Sequence, residues 1–95
     1  MIKEQEYPLP TVHMNGTGKQ TLLSDYEKIA DRLDDLLQAF ENMNFHPRDY
    51  YVDGEDVFNK AMKERGSHAI ALNKFSLYLN THLSHLNKQW LNLLY

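Results

Sequence analysis

The chain contains no cysteine, which excludes disulfides, thiolate zinc sites and cysteine nucleophiles together. It has only three prolines and four glycines, all within the first eighteen residues or between residues 47 and 66, so two long segments carry no strong helix breaker. No apolar run approaches the roughly 18 to 20 residues that span a bilayer, and "MIKEQEYPLP" lacks the apolar centre of a signal peptide. The expectation is a soluble protein of the cytoplasm. An excess of positive charge is also missing: the net charge of -3 counts against broad binding to duplex nucleic acid, which rests on many cation–phosphate contacts. A small anionic ligand held by two or three cations stays open.

What is present is unevenly distributed. Every carboxylate side chain lies at or before Glu64, whereas Ser67 to Tyr95 holds His68, Lys74, His82, His85 and Lys88. An acidic first half can therefore face a mildly basic second half, within one chain or between chains. Ninety-five residues make one domain with a modest core, and self-association is the obvious supplement to it.

Residues 1–18 read as an extended arm, because Pro8, Pro10, Gly16 and Gly18 oppose helix, with room for one short turn near Lys3 to Tyr7. From residue 19 a helical period begins: Leu22, Tyr26, Ile29, Leu33, Leu36, Phe40 and Met43 step by alternating fours and threes. That spacing predicts a helix over 19–43 packing along its length on another, and Leu23, Ala30 and Leu37 widen the stripe. "NMNFHPRDYYVDGED" breaks the pattern, which makes 44–54 a loop, with Asp53 or Glu55 placed to cap the helix that follows. A second helical pattern fills 55–94 through Ala69, Leu72, Phe75, Leu79, Leu83, Leu86, Trp90 and Leu93. Gly66 and Ser67 predict a kink or a split in it. The resulting fold is all-α: a long antiparallel helical hairpin with a kinked or broken second arm, assembled as a homo-oligomer. Ile70, Leu77, Tyr78, Leu91, Leu94 and Tyr95 lie partly off the main stripe and suggest that other copies complete the core.

"NGTGK", residues 15–19, invites comparison with a phosphate-binding loop. The Walker pattern fails at its first position, His13, and after Lys19, where Gln20 replaces serine or threonine. Thr17 and Gln20 have capping-box spacing instead. Free amides at the helix start beside Lys19 are nonetheless suited to a phosphate. The loop "FHPRDYY" brings His46, Arg48, Tyr50 and Tyr51 together: either a tyrosine-rich turn on the helix ends, or rings that stack on bases beside a phosphate-pairing arginine. His82 and His85 are three apart, a spacing that permits metal binding, but with no neighbouring carboxylate or cysteine they read as a surface pair. No nucleophile with a base and an orienting group is evident, so no catalytic residue, metal or cofactor is expected.

"PTVHMNGTG" at Pro10 to Gly18, "LL" and a long helix after it, "RDYY" at Arg48 to Tyr51 and "SHAIALNKF" at Ser67 to Phe75 occur in an order that resembles the phage anti-CBASS cyclic-oligonucleotide sponges carried by T4-like phages. The resemblance extends over most of the chain. It implies a helical homo-hexamer in the host bacterial cytoplasm that sequesters 3′,3′-cGAMP and related cyclic dinucleotides, and cyclic trinucleotides at separate sites, without cleaving them. Host effectors triggered by those nucleotides would then stay inactive. The ligand-binding candidates are Lys19 and Arg48 for phosphates, Tyr7, Tyr50 and Tyr51 for bases, and His68 and Lys74 from the basic half. Duplex nucleic acid and membranes are not expected partners. The competing expectation is a helical module that inhibits a host protein through its apolar stripe.

Overall fold

The computed structural model describes the backbone of residues 7–94, and the side chains of all these except 55 and 89–94. It is all-helical among the described residues: α1 (Lys19–Asn42), 3-10 turns at Pro47–Asp49 and Tyr51–Asp53, then α2 (Glu55–Leu94). At about 1.5 Å per residue α1 is about 36 Å long and α2 about 60 Å. The second figure matches the long dimension of a molecule measuring 64 × 29 × 19 Å. The helices run antiparallel, since Phe40 near the end of α1 meets Arg65, and Tyr26 near its start meets His82.

The buried seam differs from the stripe with the strongest period. On α1, Leu23 and Leu33 are buried, and Tyr26, Ala30, Leu37 and Phe40 are half-buried. Ile29, Leu36 and Met43 stay largely in solvent. The apolar arc of α1 is simply wider than one partner helix can cover, so α2 takes the side that includes the small Ala30 and leaves every seventh residue uncovered. Across the seam α2 contributes Leu79, His82 and Leu86. Of the off-stripe residues, Ile70 and Leu77 are exposed while Tyr78 is half-buried. Trp90, Leu91, Leu93, Leu94 and Tyr95 lie outside the described side chains.

The interruption expected at Gly66 and Ser67 is not a helix end: α2 continues through both. Ser67 caps nothing; its hydroxyl donates to the Glu64 carbonyl at 2.7 Å, a back-bond that satisfies the group inside the helix. One glycine costs a helix about 1 kcal/mol relative to alanine, and packing of Arg65 and Ala69 on either side outweighs that.

The helix starts also depart from expectation. Residue Gly18, not Thr17, is the N-cap of α1, and no side chain caps it. Thr17 therefore sits one position too early for its box with Gln20, and the turn is closed by the backbone, Leu22 N–H donating to the Gly18 carbonyl at 3.0 Å. Before α2, Asp53 ends a 3-10 turn and Gly54 intervenes. Its φ of 114° and ψ of 157° belong to a region essentially reserved for glycine, and this residue turns the loop into the helix. The far end of α1 is capped from α2: Arg65 Nη2 donates to the Phe40 carbonyl at 3.0 Å. This places a cation at a helix C-terminus, where the dipole favours it.

Of the arm, residues 7–18 are non-helical apart from a tight turn in which Gly16 N–H donates to the His13 carbonyl at 3.2 Å. The His13 ring lies so close that a Cβ on residue 16 would come within 2.8 Å of it. The short turn expected near Lys3 lies outside the described residues except for Tyr7, which is not helical.

Candidate ligand-binding site

Where the arm crosses α2, aromatic side chains and imidazoles lock it down. His82, only 2% exposed, lies 4.2 Å ring to ring from Tyr78 and 4.9 Å from Tyr26. Tyr7 packs edge-on to Tyr78 at 5.3 Å, a favourable aromatic arrangement. His82 Nδ1–H donates to the Tyr78 carbonyl at 2.9 Å, and His85 Nε2–H donates to the Pro10 carbonyl at 2.7 Å. Carbonyl oxygens only accept, so each of those ring nitrogens carries its hydrogen. The pair read as a surface feature is thus a buried wedge and an arm clasp. The reason is long-range: the arm returns over α2, where the His82 ring is buried and the half-buried His85 ring donates to the Pro10 carbonyl. Burial first, then the neighbouring Tyr78 phenol, push the Tyr26 hydroxyl above its ordinary value of 10.0.

Beside this clasp is a pocket of about 340 Å³ lined by Tyr7 and Leu9 of the arm and by Leu77, Thr81, Ser84, His85 and Lys88 of α2. That volume is at the small end of ligand sites. Its lining among the described residues combines one aromatic ring, two apolar side chains, two hydroxyls, an imidazole and an ammonium group, with no carboxylate. Lys88 is exposed and has no hydrogen bond or ion pair among the described residues. Such a surface suits a ligand with a flat apolar part and a negative charge: a ring against Tyr7, an anionic oxygen toward Lys88, Ser84 and Thr81. A second groove of about 330 Å³ between the helices includes Asp25 among mainly apolar residues, and is the poorer place for an anion.

The structure disperses the candidates chosen from the sequence. Tyr7 lines the pocket. Lys19, half-buried, begins α1, whereas Arg48, Tyr50 and Tyr51 lie past its other end, about 36 Å along the axis. Within the loop, Tyr50 is built into a triangle with Phe45 and Phe58 at centroid distances of 5.3–5.8 Å. Tyr51 projects outward, 66% exposed, and Arg48 is exposed beside it. His68 is mid-helix and bonded to Glu64 Oε1 at 2.9 Å, while Lys74 is exposed on α2. Lys74 precedes Lys88 by fourteen residues, so it shares that side of the helix but lies about 21 Å away. One copy of the chain therefore brings Tyr7 alone of this set into the pocket.

Thr81, Ser84 and Lys88 were missed. Together with His85 they step by i, i+3, i+4 and i+7, which places them on one polar stripe of the helix, and that signal was legible. Arg65 had no local signal. It sits over the rings of Phe40 at 4.8 Å and Phe45 at 5.1 Å, and only the fold reveals this. Among the described residues no three metal-ligating side chains cluster, and no helix is long and apolar enough to cross a membrane.

By fold the chain is an antiparallel two-helix hairpin whose N-terminal arm forms a pocket on the longer helix. Comparison with protein-family models, curated proteins and solved structures finds no match.

Proposed function

We propose that this protein is a non-enzymatic binder that sequesters cyclic oligonucleotide second messengers, 3′,3′-cGAMP and related cyclic di- and trinucleotides among them. It acts in the host bacterial cytoplasm as a homo-oligomer, a hexamer by the family resemblance, and withholds the signal from antiphage effectors of the CBASS type. The observation that carries the reading is the pocket between arm and α2, where Tyr7 offers a stacking face beside the exposed ammonium of Lys88 and the hydroxyls of Ser84 and Thr81. Tight binding needs complementary charge and stacking, and no nucleophile. The pocket accommodates part of such a ligand, so the remainder meets a neighbouring copy. The same reasoning gives the distant Arg48–Tyr51 loop a role, since only another copy can bring it to the pocket.

Calorimetry of the purified protein against a panel of 3′,3′-cyclic dinucleotides and cyclic trinucleotides tests the proposal, with saturable binding expected. Chromatography after denaturation should return the compound intact. No binding to any member of the panel, or recovery of linear product, would sink it. The exposed stripe on α1 favours a second reading, a module that inhibits a host protein. Stoichiometric capture of one host protein, insensitive to nucleotide, would support that reading instead.

A further inference from the structure

Every seventh residue of α1 from Leu22 is apolar, and this row lies off the seam with α2. Leu22 is half-buried, while Ile29, Leu36 and Met43 are 43%, 50% and 50% exposed. Next to Ile29, across the shallow groove, stands Phe75 of α2, also exposed. A heptad row of this kind is what one helix presents to another.

We infer that this row is the contact between two copies of the chain, α1 against α1 in antiparallel orientation, with the two-fold axis at Ile29. The inference rests on the oligomeric part of the reading above and is independent of nucleotide binding. Charge selects both orientation and register. Asp25 and Arg32 are seven apart and lie beside the row, one on each side of Ile29 in sequence. A two-fold axis at Ile29 sets Leu22 opposite Leu36 of the other copy, and brings each Asp25 to within one residue, about 1.5 Å of axial offset, of the other copy's Arg32. Both pairs are formed at once because the axis generates the second. Parallel pairing puts the Asp25 and Arg32 of the two copies on opposite flanks of the contact, so neither ion pair forms. An antiparallel pairing centred between Ile29 and Leu36 opposes the two Arg32 side chains and so places like charges together. Arg32 is available for this role: its contact with Asp35 is 3.9 Å long with both side chains exposed, and such a surface pair holds it only weakly.

The absence of cysteine makes a direct test possible in the full chain. Ile29→Cys should give a disulfide-linked dimer under mild oxidation, because the axis brings residue 29 to its own copy, whereas Gln38→Cys, on the opposite side of α1, should remain unlinked. Leu22→Cys mixed with Leu36→Cys should cross-link, and neither should link with itself, because like residues then lie about 21 Å apart, far beyond disulfide reach. Sedimentation of the nucleotide-free protein should show Asp25→Arg weakening association about tenfold and Asp25→Arg with Arg32→Asp restoring it. Equal linkage at 29 and 38, self-linkage of Leu22→Cys, or failure of the charge swap to restore association would overturn the interface even in an oligomer. A wild-type chain that sediments as a monomer would overturn both the interface and the oligomeric reading, while leaving the calorimetric test of nucleotide binding untouched.

Discussion

The two ends of the hairpin close with the same materials and different results. At the loop end Phe45, Tyr50 and Phe58 form an aromatic triangle, and Arg65 lies over Phe40 and Phe45 while donating to the Phe40 carbonyl. At the arm end Tyr7, Tyr26 and Tyr78 enclose His82, and His85 holds the Pro10 carbonyl. Each end uses aromatic area to seal the seam and a nitrogen donor to satisfy a backbone carbonyl. The loop end is continuous chain, tied by α1 and α2 on both sides. The described part of the arm, residues 7–18, leads into α1 and lies against α2. That difference leaves a polar-lined pocket beside the clasp.

The sharpest way to break the arm end is His82→Ala, which removes a buried ring and its hydrogen bond. We expect a loss of about 3 kcal/mol in urea denaturation, with increased hydrogen exchange in residues 7–12. If the arm stays as protected as in the wild type, the imidazole is not what seats it. At the loop end Arg65→Ala should cost about 2 kcal/mol, through lost packing on two rings and an uncapped α1 carbonyl. Lysine should restore less than half, because it cannot cover both rings and reach the carbonyl together. Full rescue by lysine would reduce the role of Arg65 to its charge.

Gly54→Ala should cost about 1 to 2 kcal/mol by the same melts, since an added Cβ disfavours the φ of 114° whatever space surrounds it. Lys88→Ala should leave stability within about 0.5 kcal/mol of the wild type and weaken cyclic dinucleotide binding about tenfold by calorimetry. Arg48→Ala, at the other end, sharpens the contrast: it should weaken binding only if a neighbouring copy brings the loop to the pocket. The smallest effect concerns alkali. The Tyr26 phenol is raised in the folded state, so its contribution is fully present below the ordinary tyrosine value near 10 and is lost as pH rises above it. Tyr26→Phe should flatten this alkaline loss of stability in denaturation curves collected across that range.

Much of the architecture was legible. The alternating three- and four-residue steps over 19–43 placed α1 to within one residue of its observed end at Asn42, because a helical period survives whatever the helix packs on. The proline-rich arm and the loop at 44–54 were equally plain, since proline and glycine act locally. Cap positions were less so: Thr17 misses the Gln20 box by one residue, a shift that spacing alone does not decide. Gly66 does not split α2, because a breaker's local cost of about 1 kcal/mol is small beside tertiary packing. The histidines were misplaced for a related reason. Nothing near His82 and His85 in the chain announces Tyr7 and Pro10, some 75 residues away in the case of the Pro10 contact.

By itself, then, the sequence determined the helical class, the two long segments and their antiparallel pairing, all of which follow from local propensity and periodic burial. Tertiary structure alone decided which side of the wide apolar arc of α1 meets α2, that α2 runs unbroken, and that the arm returns to bury one histidine and clasp another. Those outcomes depend on which distant surfaces compete for the same apolar area. Periodicity measures how much of that area there is, and only packing determines what covers it.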